Sequence, residues 1–510
     1  MYKNKVAAEL LQNLDLGSSI AEQDTLLETA RVETSAFTDL LGDKVDLVPG
    51  TKGSGKTALF RIFVDFLPQL LLKDRKVVIA HGVQHHGDNV FHAFKEQFQE
   101  LSEDEFVSFW CIYLISLAHE QFIKGAIYQP FLQGAAAEID RFRQACWRAR
   151  IPEIRAKKSL RDIMEWTLDV LRAWAPKLRY KFPHEGGEVQ LELFANQINP
   201  QTAKQSGEQP DVPRYVEEIK DTLVTVLQKS GLAIWLMIDR LDEVFPRRSE
   251  LEKKALRGLL RTMRIFTAKE IRIKVFLRDD MLENVVASGE GFTALTHLTA
   301  RQADTLRWSQ DQIMTMLVKR LFADEDLREY LKVDRARLDA NQAYRQACYD
   351  LVFPTTVHSG RRQSPTIRWM YNHTMDGKAV VTPRDIIELV TRAKQMQQDT
   401  FKANPEGESP WMIGPQALLY GLAELSKRRR DTYLKAEFPH LWPDIEKFYG
   451  GKSEYAVTAL HNLLGKNWQE MAASLVSIGF LRKRERASQP TFWVPYLYRK
   501  GMGLTQGKAD

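Results

Sequence analysis

One eight-residue stretch near the start of the chain constrains its fold more than any other feature. Residues 50–57 match the pattern GxxxxGK[ST]. In such a loop the glycines let backbone N–H groups close around phosphate oxygens, the lysine reaches the β and γ phosphates, and the last hydroxyl binds Mg²⁺. The pattern therefore predicts a site for ATP and Mg²⁺, with Thr57 as a metal ligand, formed by Gly50, Thr51, Lys52, Gly53, Ser54, Gly55, Lys56 and Thr57.

Apolar runs on both sides of this loop predict a parallel β-sheet. They cover residues 44–48, 76–80, 232–238 and 271–277, and the third of them is wholly apolar. Continuous apolar strands separated by helices are typical of a parallel sheet covered on both faces. The predicted fold class is α/β: a parallel-sheet P-loop NTPase core with a large helical insertion at about 89–228, a helical lid and a C-terminal winged-helix-like domain.

Breaks in composition divide the chain into four predicted parts. An N-terminal helical segment covers residues 1–40, and the P-loop ATPase core covers 41–300. A helical lid covers 301–403. A stretch rich in Pro and Gly at 404–415 then separates the lid from a basic winged-helix-like domain at 416–510.

A carboxylate is expected beside the loop, because a P-loop needs one to hold the water shell of its metal ion. Asp239 closes the most apolar strand and is the predicted metal-binding carboxylate. In the common hydrolytic arrangement a glutamate follows this aspartate and orients the attacking water, but here Arg240 follows it. Asp242 or Glu243 is then the candidate for that catalytic role. The alternative is that both are solvated acids at the start of a helix.

Two arginines are candidates for contact with the γ phosphate. Arg278 follows the next strand, at the edge where open α/β sheets bind ligands. The alternative is an ion pair with one of the two aspartates that follow it. Thr382 is a suitable N-cap and Pro383 suits the first position of a helix, but capping does not explain Arg384. We therefore expect Arg384 to reach the nucleotide from the helical lid.

The last sixth of the chain has an excess of cations about equal to the net charge of the whole chain. Residues 427–510 contain fifteen Lys and Arg against eight Asp and Glu, whereas the whole chain carries +6. Two predicted helices at 454–464 and 468–477 precede a short strand at 478–481, a basic turn and a returning strand, an order typical of a winged helix. The second helix is poor in cations. The residues expected to contact DNA phosphates are therefore Arg482, Lys483, Arg484 and Arg486. A protein-docking winged helix and a solvated basic face are the alternatives.

The order of these motifs resembles that of the additional-strand P-loop ATPases. The loop, Asp239 with Asp242, Arg278 and Arg384 are most similar to the STAND and KAP-type signalling ATPases, with kinship to replication-initiator AAA+ proteins. The segment Gly17-Ser18-Ser19-Ile20-Ala21-Glu22, together with the loop, also resembles a bacterial P-loop ATPase family of similar length. The resemblance implies an ATP-driven switch, often a homo-oligomer, which in some members serves in phage defence.

Two functions remain open. In the first, the chain binds and hydrolyses ATP as a nucleotide-controlled conformational switch in phage defence, and a separate effector protein carries the effector activity. In the second, it is a DNA-binding ATPase of replication-initiator or mobile-element type that acts on duplex DNA. Arg240 in the place of a catalytic glutamate predicts slow turnover for either function.

Composition predicts a cytoplasmic protein without a membrane span. The chain is 44% apolar and 27% charged, which is ordinary for a globular protein. The uncharged, mostly apolar stretch 106–118 is shorter than the roughly twenty residues that cross a bilayer, and no uncharged stretch of the chain reaches that length. The N-terminus lacks the apolar core of a secretory signal. Several tryptophans, Trp308 among them, fall at helical spacing and are predicted to belong to the core.

Overall fold

The structure is a computed structural model of the chain. It describes residues 1–82, 101–149, 212–244, 249–266, 268–286, 299–485 and 490–509. Large parts of the predicted helical insertion at 89–228 therefore lie outside the described residues, and so does Arg486. For Glu243 the structure describes the backbone alone.

Short β-strands occur along the whole described chain. They are β1 (Tyr2–Lys3), β2 (Leu47–Gly50), β3 (Val77–His81), β4 (Ala233–Ile238), β5 (Ile271–Arg278), β6 (Glu408–Ser409), β7 (Lys452–Ala456), β8 (Arg482–Arg484), β9 (Thr491–Trp493) and β10 (Thr505–Ala509). β1 pairs with β6, and the other strands form two four-stranded sheets.

Helices account for most of the remaining described residues. The α-helices are α1 (Asn4–Asn13), α2 (Ser35–Leu41), α3 (Lys56–Arg61), α4 (Pro68–Arg75), α5 (Glu103–Ala118), α6 (Gln129–Leu132), α7 (Ala136–Arg148), α8 (Val212–Ser230), α9 (Leu241–Val244), α10 (Glu250–Ile265), α11 (Asp279–Val286), α12 (Gln310–Leu321), α13 (Glu325–Tyr330), α14 (Arg335–Ala340), α15 (Gln342–Val352), α16 (Thr366–Thr374), α17 (Pro383–Ala403), α18 (Pro415–Arg429), α19 (Trp442–Glu446), α20 (Val457–Leu464), α21 (Trp468–Ser477) and α22 (Tyr496–Arg499). Helices α3, α5 and α18 continue as π-helical turns at Ile62–Phe66, His119–Ile123 and Arg430–Lys435.

The chain forms two compact units. The first, called the sheet unit, comprises residues 39–51 and 59–305. The second, called the helical unit, comprises residues 1–38, 52–58 and 306–510. Each unit buries an apolar core of its own. The phosphate-loop stretch contributes its strand to the sheet unit and residues 52–58 to the helical unit.

The sheet unit is built on four parallel strands in the order β2-β5-β4-β3. In β4 the residues from Ile234 to Ile238 are all buried. Because successive side chains of a strand point to opposite faces, both faces of β4 are covered. This burial explains why the run is wholly apolar, and the predicted α/β fold with a parallel sheet is confirmed.

An apolar helix of the sheet unit is long enough to cross a membrane. It comprises α5 and the π-helical turn that follows, but 78% of its most apolar window is buried inside the protein. It packs closely on α10, because a β carbon on Gly258 would lie 2.6 Å from the Cβ of Phe106. The Trp110 indole also donates to the Ala255 carbonyl at 2.8 Å. Packing in the core therefore accounts for its apolar composition.

A buried ion cluster fixes the approach to β2 in the sheet unit. The side chain of Lys274, on β5, is fully buried and donates to Asp43 and, at 2.7 Å, to Asp46. The Arg301 guanidinium donates to Asp46 at 2.5 Å, and the Lys274 ammonium lies 4.7 Å from the centre of the Trp235 ring. Burial alone would raise the pKa of Asp46, but the hydrogen bond from Arg301 and the charge of Lys274 lower it. The cluster thus joins the segment before β2 to the middle of β5.

Helix α17 organises the helical unit. Its buried apolar residues include Ile386, Leu389, Val390 and Ala393, a spacing that gives one apolar stripe on a helix. The stripe packs on α18, where a β carbon on Gly421 would lie 2.4 Å from the Leu389 carbonyl oxygen. The two helices therefore approach closely because the residue between them has no side chain.

The C-terminal part of the helical unit carries the second four-stranded sheet, in the order β10-β7-β9-β8. β9 is antiparallel to both β7 and β8, and β10 is parallel to β7. Helices α20 and α21 lie between β7 and β8 in the chain. Two helices followed by β8 and β9 stand where the sequence predicts a winged-helix-like domain, which stays a prediction, and β10 adds an edge strand to the sheet.

Two local predictions for this part are wrong. Residues 452–456 form strand β7, so the helix expected from 454 begins only at Val457. The strand expected at 478–481 forms at Arg482–Arg484 instead, where a basic turn was expected. The reason is that residues 478–481 end helix α21: Gly479 has φ +78°, and the amide of Phe480 donates to the Leu475 carbonyl at 3.0 Å.

Candidate functional site

The backbone of the phosphate loop takes a shape that its glycines allow. All four residues of β2 are buried, and α3 begins at Lys56. Between them Gly53 has φ +82° and Gly55 has φ +99°. Residues with a β carbon are strained in this left-handed region, so Gly53 and Gly55 are required by the turn itself.

Two side chains of the loop are buried in a way that suits an anionic ligand. Ser54 is 1% exposed, and within the part of the chain that the structure describes its Oγ has no hydrogen-bond partner. A buried hydroxyl without a partner is costly, and a phosphate oxygen would satisfy it. Lys56 is 9% exposed and brings a positive charge to the same turn. The residues present therefore fit a phosphate group.

The first turn of α17 packs directly on this loop within the helical unit. A β carbon on Gly53 would lie 3.3 Å from the Cβ of Arg384 and 3.4 Å from the Oγ1 of Thr382. Thr382 caps the helix as predicted: its Oγ1 accepts from the Asp385 amide at 3.2 Å and donates to the Asp385 carboxylate at 2.8 Å. The capped end of α17 thereby holds Arg384 against the loop.

The Arg384 side chain is confined by its surroundings. Its Nε donates to the carbonyl oxygen of Ser19 at 3.3 Å, in the N-terminal segment of the same unit. Burial lowers the pKa of the Arg384 guanidinium, and the negative charges of Asp385 and Glu437 oppose this effect. Arg384 thus lies beside the loop, and its predicted contact with a nucleotide stays a prediction.

Trp308 is a loop-contacting residue that the sequence reasoning missed. Its indole Nε1 donates to the Ser54 carbonyl at 2.7 Å, and its ring lies 3.7 Å from the position of a β carbon on Gly55. The Tyr371 hydroxyl in turn donates to the Trp308 carbonyl at 2.8 Å. Trp308 is half-buried and borders the apolar core, where the sequence predicted a core residue. The hydrogen bond of its indole connects it to the loop.

Glu437 is a second residue that the sequence reasoning missed, and it contacts the loop through its charge. Lys52 forms an ion pair with Glu437, a residue of the segment between the π-helical turn Arg430–Lys435 and α19. The Glu437 side chain is 6% exposed and that of Lys52 is 36% exposed. The two residues are 385 positions apart in the sequence, so no local pattern could have indicated this pair.

The carboxyl edge of the parallel sheet carries the other predicted site residues. Asp239 follows β4, Asp242 lies on α9, and Arg278 ends β5 opposite Gly50 of β2. The structure brings Arg278 and Asp242 together, with Nη1 3.4 Å from Oδ2. Arg278 also donates through Nε and Nη2 to both carboxylate oxygens of Asp280, at 2.9 and 2.8 Å. The ion pair that was the alternative to a phosphate contact is therefore present.

The residue after Asp239 has an unusual backbone. Arg240 has φ +62°, a left-handed conformation that is uncommon for a residue with a β carbon. Strain of this kind tends to occur at functional sites. Glu243 lies on the same short helix, α9, and Thr57 is the second residue of α3 and half-buried.

The basic residues of strand β8 already have partners within the helical unit. Lys483 pairs with Glu485 at 2.6 Å, and the Arg484 guanidinium lies 4.5 Å from the centre of the Trp493 ring. The Arg482 Nη1 atom is 4.0 Å from the sulfur of Met375. Lys483 and Arg484 are nevertheless exposed, while Arg482 is half-buried. A contact with phosphates is thus sterically open to Lys483 and Arg484.

Comparison with known proteins finds little similarity in sequence. No protein-family profile matches the chain, and no curated protein sequence matches it. Among solved structures, the chain is similar to the Aeropyrum pernix ORC2 protein, solved as ADPNP-ADP complexes. The TM-score is 0.38 at 12% identity, over 92% of this chain and 93% of that chain.

Proposed function

We propose that this protein is a P-loop ATPase that works as a nucleotide-controlled conformational switch. The observation that carries the proposal is the packing of Arg384 and Thr382, at the start of α17, directly on Gly53 of the loop. A guanidinium beside a phosphate loop changes its interactions when a triphosphate enters, because the phosphate offers opposite charge and oxygen acceptors. Occupation of the loop would therefore act on the end of a 21-residue helix.

ATP with Mg²⁺ is the proposed ligand. Residues 50–57 would hold the phosphates through backbone N–H groups and Lys56, while Thr57 and Asp239 would hold the metal. When bound, Mg²⁺ neutralises charge on the β and γ oxygens. The left-handed glycines and the buried Ser54 hydroxyl support this assignment, because both suit a loop closed around an anion.

Hydrolysis is proposed to be slow. Arg240 stands where a catalytic glutamate commonly orients water, which leaves Asp242 and Glu243 as the candidate carboxylates. Asp242 contacts Arg278, whose guanidinium also binds Asp280 through two hydrogen bonds. To contact the γ phosphate, Arg278 would therefore have to break its ion pair with Asp280 or Asp242.

The switch is proposed to act on other protein chains in the cytoplasm. On this view it forms a homo-oligomer and controls a separate effector protein in defence against phage. The order of its motifs supports this role through resemblance to signalling ATPases of the STAND and KAP type.

A DNA-binding ATPase of replication-initiator or mobile-element type is the second candidate. The winged-helix-like arrangement and the excess of cations in residues 427–510 favour it. The exposed residues of α21, however, are Gln469, Glu470, Ala473 and Ser477, which include no cation. Contacts with DNA would then rely on Lys483 and Arg484, and on Arg486, so binding would be largely to phosphates and would fall steeply with added salt.

ATP hydrolysis by the purified protein, with and without duplex DNA, tests both candidates. Lys56→Ala should abolish ATP binding and hydrolysis, while Lys73→Ala, an exposed lysine on α4, should leave both unchanged. Unchanged ATP affinity in Lys56→Ala would refute the proposed site. Stimulation by DNA that Lys56→Ala removes would favour the DNA-binding ATPase. Tight ATP binding with slow turnover in both conditions would favour the switch.

A further inference from the structure

The ion pair between Lys52 and Glu437 lies at the phosphate loop but has no part in the proposed chemistry. Lys52 directly precedes the turn at Gly53, where the backbone closes around phosphates in loops of this pattern. Its ammonium pairs with the carboxylate of Glu437, in the C-terminal part of the chain. An ion pair at this place competes with a phosphate for the same cation.

Glu437 also influences the arginine that covers the loop. Its negative charge raises the pKa of the Arg384 guanidinium, against the effect of burial. Arg384 packs on Gly53, the residue after Lys52, and Lys52 pairs with Glu437, so two cations and a nearly buried carboxylate lie together at the loop. A triphosphate that enters the loop brings several negative charges towards both cations. The same charges repel Glu437, and they do so strongly because its side chain is shielded from water.

Glu437 belongs to a connector that leads to the winged-helix-like sheet. We define this connector as residues 430–449. Phe438, the next residue, is buried and packs edge-on against Tyr433 at 5.3 Å between ring centres. Phe448, near its end, is buried and packs against Tyr455 of β7 at 4.9 Å and Phe480 at 5.2 Å. A displacement of Glu437 would therefore act on a segment packed against the C-terminal sheet.

We propose that Glu437 reports the nucleotide state of the phosphate loop to the connector: it holds Lys52 when no triphosphate is bound, and ATP displaces it. This inference rests on the proposed ATP site and assigns its regulation. Because coupling between two sites is reciprocal, the contact that ATP breaks must also weaken ATP binding. Glu437 is thus a regulatory residue that opposes ATP, and ATP should act more strongly than ADP because it carries more negative charge.

Equilibrium binding of a fluorescent ATP analogue tests the first half of this proposal. Glu437→Gln keeps the shape of the side chain and removes its charge, so it should bind ATP about tenfold more tightly than the wild type, within the usual range of coupling between sites. Glu446→Gln removes one charge from an exposed position on α19 and should bind as the wild type does. Equal affinities of the two variants would overturn the proposal.

The same titration separates this inference from the proposed function. If Lys56→Ala binds ATP as well as the wild type, the ATP site itself is wrong. If Lys56→Ala loses ATP binding but Glu437→Gln gains none, the site stands and the role of Glu437 is wrong.

Hydrogen exchange on the unaltered protein tests the second half and does not depend on whether a variant folds. Saturating ATP with Mg²⁺ should speed amide exchange in the connector, and ADP should do so less. Peptides from α15, which lies elsewhere in the helical unit, provide the internal reference. In Lys56→Ala the nucleotide should have no effect on the connector. Unchanged or slower exchange of the connector in the wild type with ATP would overturn the proposal.

Discussion

Arg384 and Gly53 are in such close contact that a side chain at Gly53 would have to displace the first turn of α17 slightly. The Cβ of Arg384 is 3.3 Å from the place where a β carbon on Gly53 would lie, and Gly53 has φ +82°. The loop and the first turn of α17 are therefore fitted to each other. A change at Gly53 should disturb both the turn and the position of Arg384.

Gly53→Ala should weaken ATP binding by at least tenfold. The new methyl group meets Arg384, and the left-handed backbone adds strain of about 1 to 3 kcal/mol. Titration with a fluorescent ATP analogue measures the loss.

Gly231→Ala is the matched control for Gly53→Ala. Gly231 has φ +66°, but nothing lies within 4 Å of its β-carbon position. This variant should lose some stability through strain and keep its ATP affinity. If both variants bound ATP alike, the close contact with Arg384 would have no role in the site.

Trp308→Phe should lower ATP affinity by a few fold. The change removes the hydrogen bond from the indole to the Ser54 carbonyl but keeps an aromatic ring beside Gly55. A hydrogen bond of this kind contributes about 0.5 to 1.5 kcal/mol, and its loss lets the loop move before the ligand binds. Trp411→Phe, at a tryptophan that is 37% exposed, should leave the titration unchanged. A Trp308→Phe protein with wild-type affinity would show that the indole does not order the loop.

The sequence alone was sufficient for features that depend on neighbouring residues. The loop motif, Asp239 at the end of an apolar strand and the Thr382 cap each follow from a few consecutive residue types, and the cap has the predicted hydrogen bonds. The parallel sheet follows from the apolar runs. The predictions of the sheet and of the cap are confirmed because local backbone shape and burial determine the residue types that occur there, whereas the roles of the loop and of Asp239 stay predictions.

Contacts between distant parts of the chain could not be predicted in this way. Trp308 and Ser54 are 254 residues apart, and tryptophan at helical spacing gives the same pattern whether it packs in a core or against a loop. Strand β7 was missed because Lys452-Ser453-Glu454-Tyr455-Ala456 is mostly polar, and only Ser453 and Tyr455 of it are buried. One buried face of two residues is too short to show a clear alternation.

Lys274→Ala should destabilise the sheet unit strongly. The substitution leaves the carboxylates of Asp43 and Asp46 without the buried ammonium that contacts both, and breaking one partner of a buried ion pair costs about 3 to 5 kcal/mol. Chemical unfolding monitored by circular dichroism measures the loss.

Lys269→Ala provides the comparison, because this lysine has a side chain that is 86% exposed. It should change the free energy of unfolding by about 0.5 kcal/mol or less, as exposed pairs contribute little. A loss below about 1 kcal/mol in Lys274→Ala would mean that Arg301 alone holds the two carboxylates.

Two buried groups near the four-stranded C-terminal sheet should give opposite pH dependences. Burial lowers the pKa of His373 to about 4; its ring lies between Trp369 and Tyr496, with ring centres 4.5 and 4.3 Å away. The unfolded chain binds more protons at His373 than the folded chain does below the ordinary pKa of 6.5, so this histidine lowers stability as the pH falls from 6.5 towards 4.

Asp376 has the opposite effect. Burial raises the pKa of Asp376 from 3.8 to about 6, so the folded state binds more protons there and gains stability as the pH falls through 6.

Asp376→Asn should reveal the histidine by removing the opposing group. The amide oxygen can still accept the backbone N–H groups of Lys378 and Val380, which Asp376 accepts at 2.9 Å each. The free energy of unfolding should then fall more steeply between pH 6.5 and 4 than in the wild type, by on the order of 2 to 3 kcal/mol in total, since one pKa unit corresponds to about 1.4 kcal/mol. Urea unfolding at a series of pH values measures the slope, with Asp399→Asn, an exposed aspartate on α17, as the control. If the free energy of unfolding had the same pH profile in Asp376→Asn and Asp399→Asn, removal of the Asp376 carboxyl would have no effect on the pH dependence. Asp376 would then not take up a proton in the folded state.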